Sequence, residues 1–150
     1  MTIALKASDI LARLPHRHPM VLLDRVEDLN YGKSATGIKN ITISDPVFQG
    51  HFPNNPVYPG VYMIEASAQL CGLLLGSPTG EDGPVLGYLA SVRKFKFITP
   101  VFPGDVLSIQ ARAGVSHANL ADFSVDIKVS GKIVASGSLA LARIDPDPST

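Results

Sequence analysis

Apolar and polar positions change their rhythm along the chain, and each change marks an element. Ser8 precedes Asp9-Ile10-Leu11-Ala12-Arg13-Leu14, a short helical pattern with Ser8 as its N-cap, ended by Pro15. Met20 to Tyr31 is rich in Val and Leu, and a second extended run reaches Ile43, which predicts two strands joined by a turn at Asn30 to Lys33. Between Ser44 and Pro59 the prolines Pro46, Pro53, Pro56 and Pro59 restrict their neighbours and remove backbone donors, so a stiff loop is expected. Gly60 to Leu75 has no internal proline and is apolar on nearly all sides, apart from Glu65, Ser67 and Gln69, which predicts a buried helix.

The turn-rich stretch Ser77 to Pro84 then switches the chain to strand periodicity. Leu107, Ile109, Ala111, Ala113 and Val115 alternate with polar residues, as do Ala121, Phe123, Val125, Ile127 and Val129. Ser130-Gly131 forms a tight turn into a last strand on which Ile133, Ala135, Leu139 and Leu141 share a face, and residues 145–150 read as a frayed tail. Strands with one dry face need a cover, and the helix from Gly60 is long enough to supply it. The expected class is therefore α+β: a curved antiparallel sheet wrapped around one long central helix, in a single domain spanning residues 1–150.

Composition narrows the class further. With 45% hydrophobic and 17% charged residues the chain is neither disordered nor, given its short apolar runs, membrane-spanning. Thirteen basic and 13 acidic side chains cancel, which favours neither a nucleic acid nor an anionic membrane as partner. The single Cys71 excludes an intrachain disulfide, and the first residues lack a secretory pattern, so a cytoplasmic location is expected. The run Val61 to Gly76 is greasier than one small monomer covers, which points to self-association.

Several motifs carry a resemblance: Leu14-Pro15-His16-Arg17, Asp24-Arg25-Val26, Gln49-Gly50-His51-Phe52-Pro53-Asn54-Asn55-Pro56-Val57-Tyr58-Pro59-Gly60-Val61, Glu65-Ala66-Ser67-Ala68-Gln69, Phe95-Lys96-Phe97 and Pro103-Gly104-Asp105. From about Leu14 to Leu141 the chain resembles the FabZ-type 3-hydroxyacyl-(acyl-carrier-protein) dehydratases. The resemblance implies a hot-dog fold, a homodimer whose two sheets join, three of which often build a hexamer, and an acyl chain delivered on the phosphopantetheine of an acyl carrier protein. It implies no metal and no organic cofactor. The family's catalytic histidine corresponds to His51 and its catalytic carboxylate to Glu65, contributed across the dimer interface, with the Gly60 backbone near the thioester carbonyl.

The reaction suits these residue types. Eliminating water from a 3-hydroxyacyl thioester to give a trans-2-enoyl thioester needs a base for the C2 proton, an acid for the departing hydroxyl and donors for an enolate-like oxygen. An imidazole suits the first. Burial in an apolar helix is expected to raise the Glu65 pKa so that the carboxyl can donate a proton. The Gly60 N–H, at a helix start, is the expected oxyanion donor. Whether one residue performs both proton transfers while the other orients water stays open at this point.

Further positions surround this pair. Val57, Tyr58 and Tyr62 are candidates to line the acyl tunnel, the two tyrosines being equally well explained as core packing. Gln69, one helical turn beyond Glu65, can orient it or serve the core. Arg93, Lys94 and Lys96 form the densest basic cluster and the expected docking site for an acidic carrier protein. His16 and His18 lack a third ligand and read as structural, His117 as a solvated turn residue, and Cys71 as packing rather than a nucleophile. Tyr58, Tyr62 and His18 depart from the family's usual methionine, aliphatic and aromatic residues, which suggests a short, polyunsaturated or aryl-capped substrate from a specialised pathway. The glutamate form implies no movement of the double bond to the cis-3 position. Two rival readings are a hot-dog acyl thioesterase and a non-catalytic acyl-carrier-binding subunit.

Overall fold

The computed structural model describes residues 2–145, so the expected tail lies, past Asp145, outside the described residues. In chain order the elements are β1 (Ile3–Leu5), α1 (Ala7–Arg13), β2 (Arg25–Asn30), β3 (Ser34–Asn40), α2 (Val47–Gly50), α3 (Gly60–Leu74), β4 (Gly87–Phe97), β5 (Val106–His117), β6 (Leu120–Val129) and β7 (Lys132–Arg143). The strands form a seven-stranded antiparallel sheet in the order β1-β2-β3-β5-β6-β7-β4. Between β3 and β5 the chain makes α3 and then lays β4 on the far edge beside β7, so the open sheet wraps around the helix. This is the hot-dog arrangement.

Leu70, Cys71 and Leu74 of α3 are fully or almost fully buried, as are Leu107, Ile109, Ile127, Ala135 and Leu139 of the sheet. Gly37 on β3 lets the two layers meet: a Cβ there would stand 3.2 Å from the Leu70 methyls. The buried alternation of β5 and β6 follows the sequence pattern from Leu107 to Ala111 and from Ala121 to Ile127. Among the described residues no helix is long and apolar enough to cross a membrane.

Local departures have physical causes. Lys6, not Ser8, is the N-cap of α1; Ser8 lies inside the helix, and Asp9 accepts the Lys6 N–H at 2.9 Å. β2 starts at Arg25 rather than Met20 because the Met20 carbonyl and Leu22 N–H bond to the side chain of Gln69. The proline-ruled loop contains α2, whose first N–H groups include Val47 N, held by Asp45 Oδ1 at 3.0 Å. Register shifts in the β5–β6 and β6–β7 ladders turn two expected core residues outward, Val115 (78% exposed) and Ile133 (42%), while Val134 points in. The β6–β7 turn has positive φ at both Ser130 and Gly131, matching its tight-turn pattern.

α3 is buried over most of its length, yet its first turn is not: Val61 is 68% exposed and Tyr62 37%. β4, the edge strand, exposes Tyr88, Leu89, Val92 and Phe97.

Candidate active site

His51 follows α2 and is fixed by its own loop. Its Nδ1 lies 2.6 Å from the Val57 carbonyl oxygen, and the Val57 N–H returns a bond of 3.1 Å to the His51 carbonyl. A carbonyl only accepts, so Nδ1 carries the proton and the neutral ring keeps a free lone pair on Nε2. Phe52 stacks on the imidazole at 4.0 Å between centroids. Phe52 and Asn55 close the loop with reciprocal backbone bonds of 3.0 and 2.9 Å, Asn54 taking φ 65°. Val57, expected to touch substrate, thus also orients the imidazole.

The start of α3 lies directly after this loop. Pro59 offers no side-chain cap, and its carbonyl accepts from the Tyr62 and Met63 N–H groups. The Gly60 and Val61 N–H groups are left without a partner among the described residues, as at any uncapped helix start. Gly60 lets the Phe97 ring pack directly on the helix start, since a Cβ would stand 2.9 Å from that ring and push it aside.

Glu65 lies one turn further on, about a quarter exposed. Its Oε1 accepts the Gln69 Nε2–H at 3.0 Å and stands 3.4 Å from His16 Nε2. The amide of Gln69, itself 1% exposed, has its orientation fixed: Oε1 accepts the Leu22 N–H at 3.0 Å while Nε2 also donates to the Met20 carbonyl at 2.6 Å. Gln69 is therefore both an orienting partner of Glu65 and a buried strut. The expectation of a raised Glu65 pKa is overturned. Contact with His16 is the largest effect and holds the carboxyl below its usual range; burial opposes it, and the Gln69 hydrogen bond adds a further lowering. Two polar neighbours outweigh the apolar residues adjacent to Glu65 in sequence.

Glu65, Gln69 and His16 open onto a narrow cavity of about 40 Å³ whose other walls include Leu14, Leu89 and Leu141. Tyr62 lines a different cavity of about 340 Å³, with His18, Lys39 and Asp45. Tyr58 is 2% exposed, edge-on to Tyr62 at 5.9 Å, and its buried hydroxyl has no partner among the described residues. Burial pushes that phenol well above its usual range. Neither tyrosine lines the cavity beside Glu65, so the polar, narrowed tunnel expected from them has no support there. His51 borders neither cavity.

The basic cluster divides. Arg93 is tied to Asp122 at 3.0 Å, whereas Lys94, at a register shift with φ 51°, and Lys96 are exposed. Cys71 is buried, which pushes its thiol up and away from nucleophilic use. Among the described residues no group of three or more His, Cys, Asp or Glu could hold a metal ion. The residue missed by sequence reasoning is His16: its spacing from His18 drew attention to a metal, while its partner lies on α3.

A family model described as a FabA-like domain matches residues 14–138. The chain belongs to the FabA-like family. This FabA-like chain is 44% identical over 135 residues to a protein of Syntrophotalea carbinolica named 3-hydroxyacyl-(acyl-carrier-protein) dehydratase FabZ, covering 90% of the chain and 92% of that relative. A Thermomicrobium roseum protein of the same name is 39% identical over 144 residues, with 95% of each covered. Among solved structures, the dehydratase heterocomplex ApeI:P from Xenorhabdus doucetiae superposes with a TM-score of 0.75 at 23% identity, covering 93% of this chain and 92% of that one. A hypothetical thioesterase with coenzyme A from Streptococcus pneumoniae gives 0.57 at 16% identity over 76% and 80%. Structural likenesses this remote in sequence show that the FabA-like fold is shared and leave chemistry to the site.

Proposed function

We propose that this FabA-like protein removes water from 3-hydroxyacyl thioesters on acyl carrier protein, yielding trans-2-enoyl thioesters for fatty-acid or related acyl-chain synthesis. The 2.6 Å contact from His51 Nδ1 to the Val57 carbonyl carries the mechanism, because it presents Nε2 as the basic nitrogen. His51 Nε2 takes the C2 proton, electrons move into the C2–C3 bond as C3–O breaks, and the same proton is returned from Nε2 to the departing oxygen, giving water. Glu65, held as a carboxylate, accepts the 3-hydroxyl hydrogen bond and aims the C3–O bond. The Gly60 N–H faces the thioester oxygen as negative charge develops there. The sequence-level alternative in which one residue makes both transfers is thus the one favoured by the ionised state of Glu65.

The exposed apolar edge of β4 supports a homodimer in which the two sheets join. Phe52, Val61 and Ile98, exposed around the His51 loop and the start of α3, extend the same apolar surface. In this arrangement the His51 of one protomer works with the Glu65 of its partner. The carrier protein approaches at Lys94 and Lys96, with Arg93 engaged by Asp122. A carboxylate at position 65 would also suit a thioesterase, so the products decide. Mass spectrometry of 3-hydroxyacyl carrier protein should show loss of one water with wild type, and little with His51→Ala; release of free thiol instead would favour hydrolysis.

A further inference from the structure

We infer that His16 is a positioning residue for the reaction, acting through the Glu65 carboxylate. The inference rests on the dehydratase reading and adds a residue to it. Leu14-Pro15-His16 brings the imidazole back onto α3, where Nε2 stands 3.4 Å from Glu65 Oε1. That separation is long for a hydrogen bond and close enough for a proton on Nε2 to act on the carboxylate. His16 Nδ1 is buried without a partner among the described residues, so the ring's polar contact to a side chain is the one with Glu65. An Nε2–H tautomer fits this arrangement, leaving Nδ1 as an acceptor.

The segment carrying the imidazole is itself anchored. Arg17 wraps back on the turn, its Nη1 donating to the Leu14 and His16 carbonyls at 2.9 and 2.6 Å. A few residues on, Gln69 grips Met20 and Leu22 while donating to Glu65. Glu65 Oε1 is therefore approached from two sides, by an amide on its own helix and by an imidazole from the preceding segment. This arrangement selects one carboxylate rotamer and leaves Oε2 for substrate.

The rest of the cavity wall carries no charge. Leu14, Val85, Leu89 and Leu141 border the cavity from the loop, the connector, β4 and β7, and none titrates. Three pairs on the strands around α3 satisfy one another, Arg25 with Glu27, Arg93 with Asp122 and Arg112 with Asp126, and no charged strand residue borders the cavity beside Glu65. His16, with Gln69 as the second contact, is the group placed to favour the ionised form of Glu65.

The test follows the carboxyl directly. The chain has three glutamates, Glu27, Glu65 and Glu81, so side-chain carboxyl-labelled glutamate gives an NMR titration assignable by Glu65→Gln. In full-length His16→Phe the Glu65 midpoint should rise by about half a unit to one unit. Its kcat for 3-hydroxyacyl carrier protein should fall about 10- to 100-fold, with KM little changed. His16→Gln, whose amide can donate, should recover most of both, and the shorter His16→Asn should not; these two variants serve if the Phe variant does not fold. An unmoved midpoint, a moved midpoint with unchanged kcat, or a lowered melting temperature alone would overturn the inference. If wild type itself eliminates no water, the dehydratase reading fails, whereas the titration still reports on the contact.

Discussion

The two candidate catalytic side chains are held in opposite ways. His51 is oriented by a carbonyl six residues away, inside one proline-ruled loop. Glu65 is set by Gln69 on its own helix and by His16, far upstream in the chain. The local arrangement fixes a tautomer through a backbone acceptor that mutation does not remove. The distant one fixes a protonation state through side chains, each replaceable. The difference teaches that a short motif can carry the identity of a reactive group, while its charge is decided by what the fold brings against it.

Mutation should separate the two regions, and the largest effect is expected at His51. His51→Ala removes the base, and kcat should drop about 1,000-fold, within the range for general acid–base groups, with the fold intact by circular dichroism. Glu65→Gln keeps a hydrogen-bonding side chain of similar shape, so a smaller loss of about 10- to 100-fold in initial rate is expected. Equal losses at the two positions would break the proposed division of labour.

On the Glu65 side, Gln69→Leu leaves the Leu22 N–H and Met20 carbonyl without their partner and should destabilise the chain by about 2 kcal/mol or more in urea unfolding. Stability against pH sharpens the point. Glu65 ionises more readily folded than unfolded, so it contributes stability above the ordinary carboxylate range that is lost as pH falls through its lower folded-state pKa. The stability advantage of wild type over Glu65→Gln should therefore narrow on acidification.

Effects away from both side chains should be smaller. Charge reversal at Lys94 and Lys96 together should raise KM several-fold, by about 1 kcal/mol of binding, for the carrier-bound substrate but not for a small thioester mimic. Tyr58→Phe deletes a buried hydroxyl without a partner and should change unfolding free energy by about 1 kcal/mol or less, on the stabilising side if at all.

Much of this was legible in the sequence. The alternation at Leu107 to Ala111 and Ala121 to Ile127 placed the inner face of the sheet, and the unbroken stretch from Gly60 placed its helix. The outward turns of Val115 and Ile133 were not legible, because a register shift reverses a period-two pattern without altering composition. The His51 loop could be recognised because the contacts that orient the imidazole, with Phe52 and Val57, are close in sequence. The ionised state of Glu65 could not: its apolar neighbours Ile64, Ala66 and Ala68 suggested desolvation, and only the folded chain brings His16 to its oxygen. Likewise Tyr58 and Tyr62 adjoin the motif in sequence, yet one is packed into the core and the other turned to a separate cavity.

The central claim is elimination driven by His51 with Glu65 as an orienting carboxylate. Its most direct test is single-turnover mass spectrometry of 3-hydroxyacyl carrier protein with wild type and His51→Ala. Wild type should remove one water from the acyl chain with the thioester intact, and His51→Ala should give almost none of that product. Undiminished water loss in His51→Ala, or a free acid with released thiol from wild type, would contradict it.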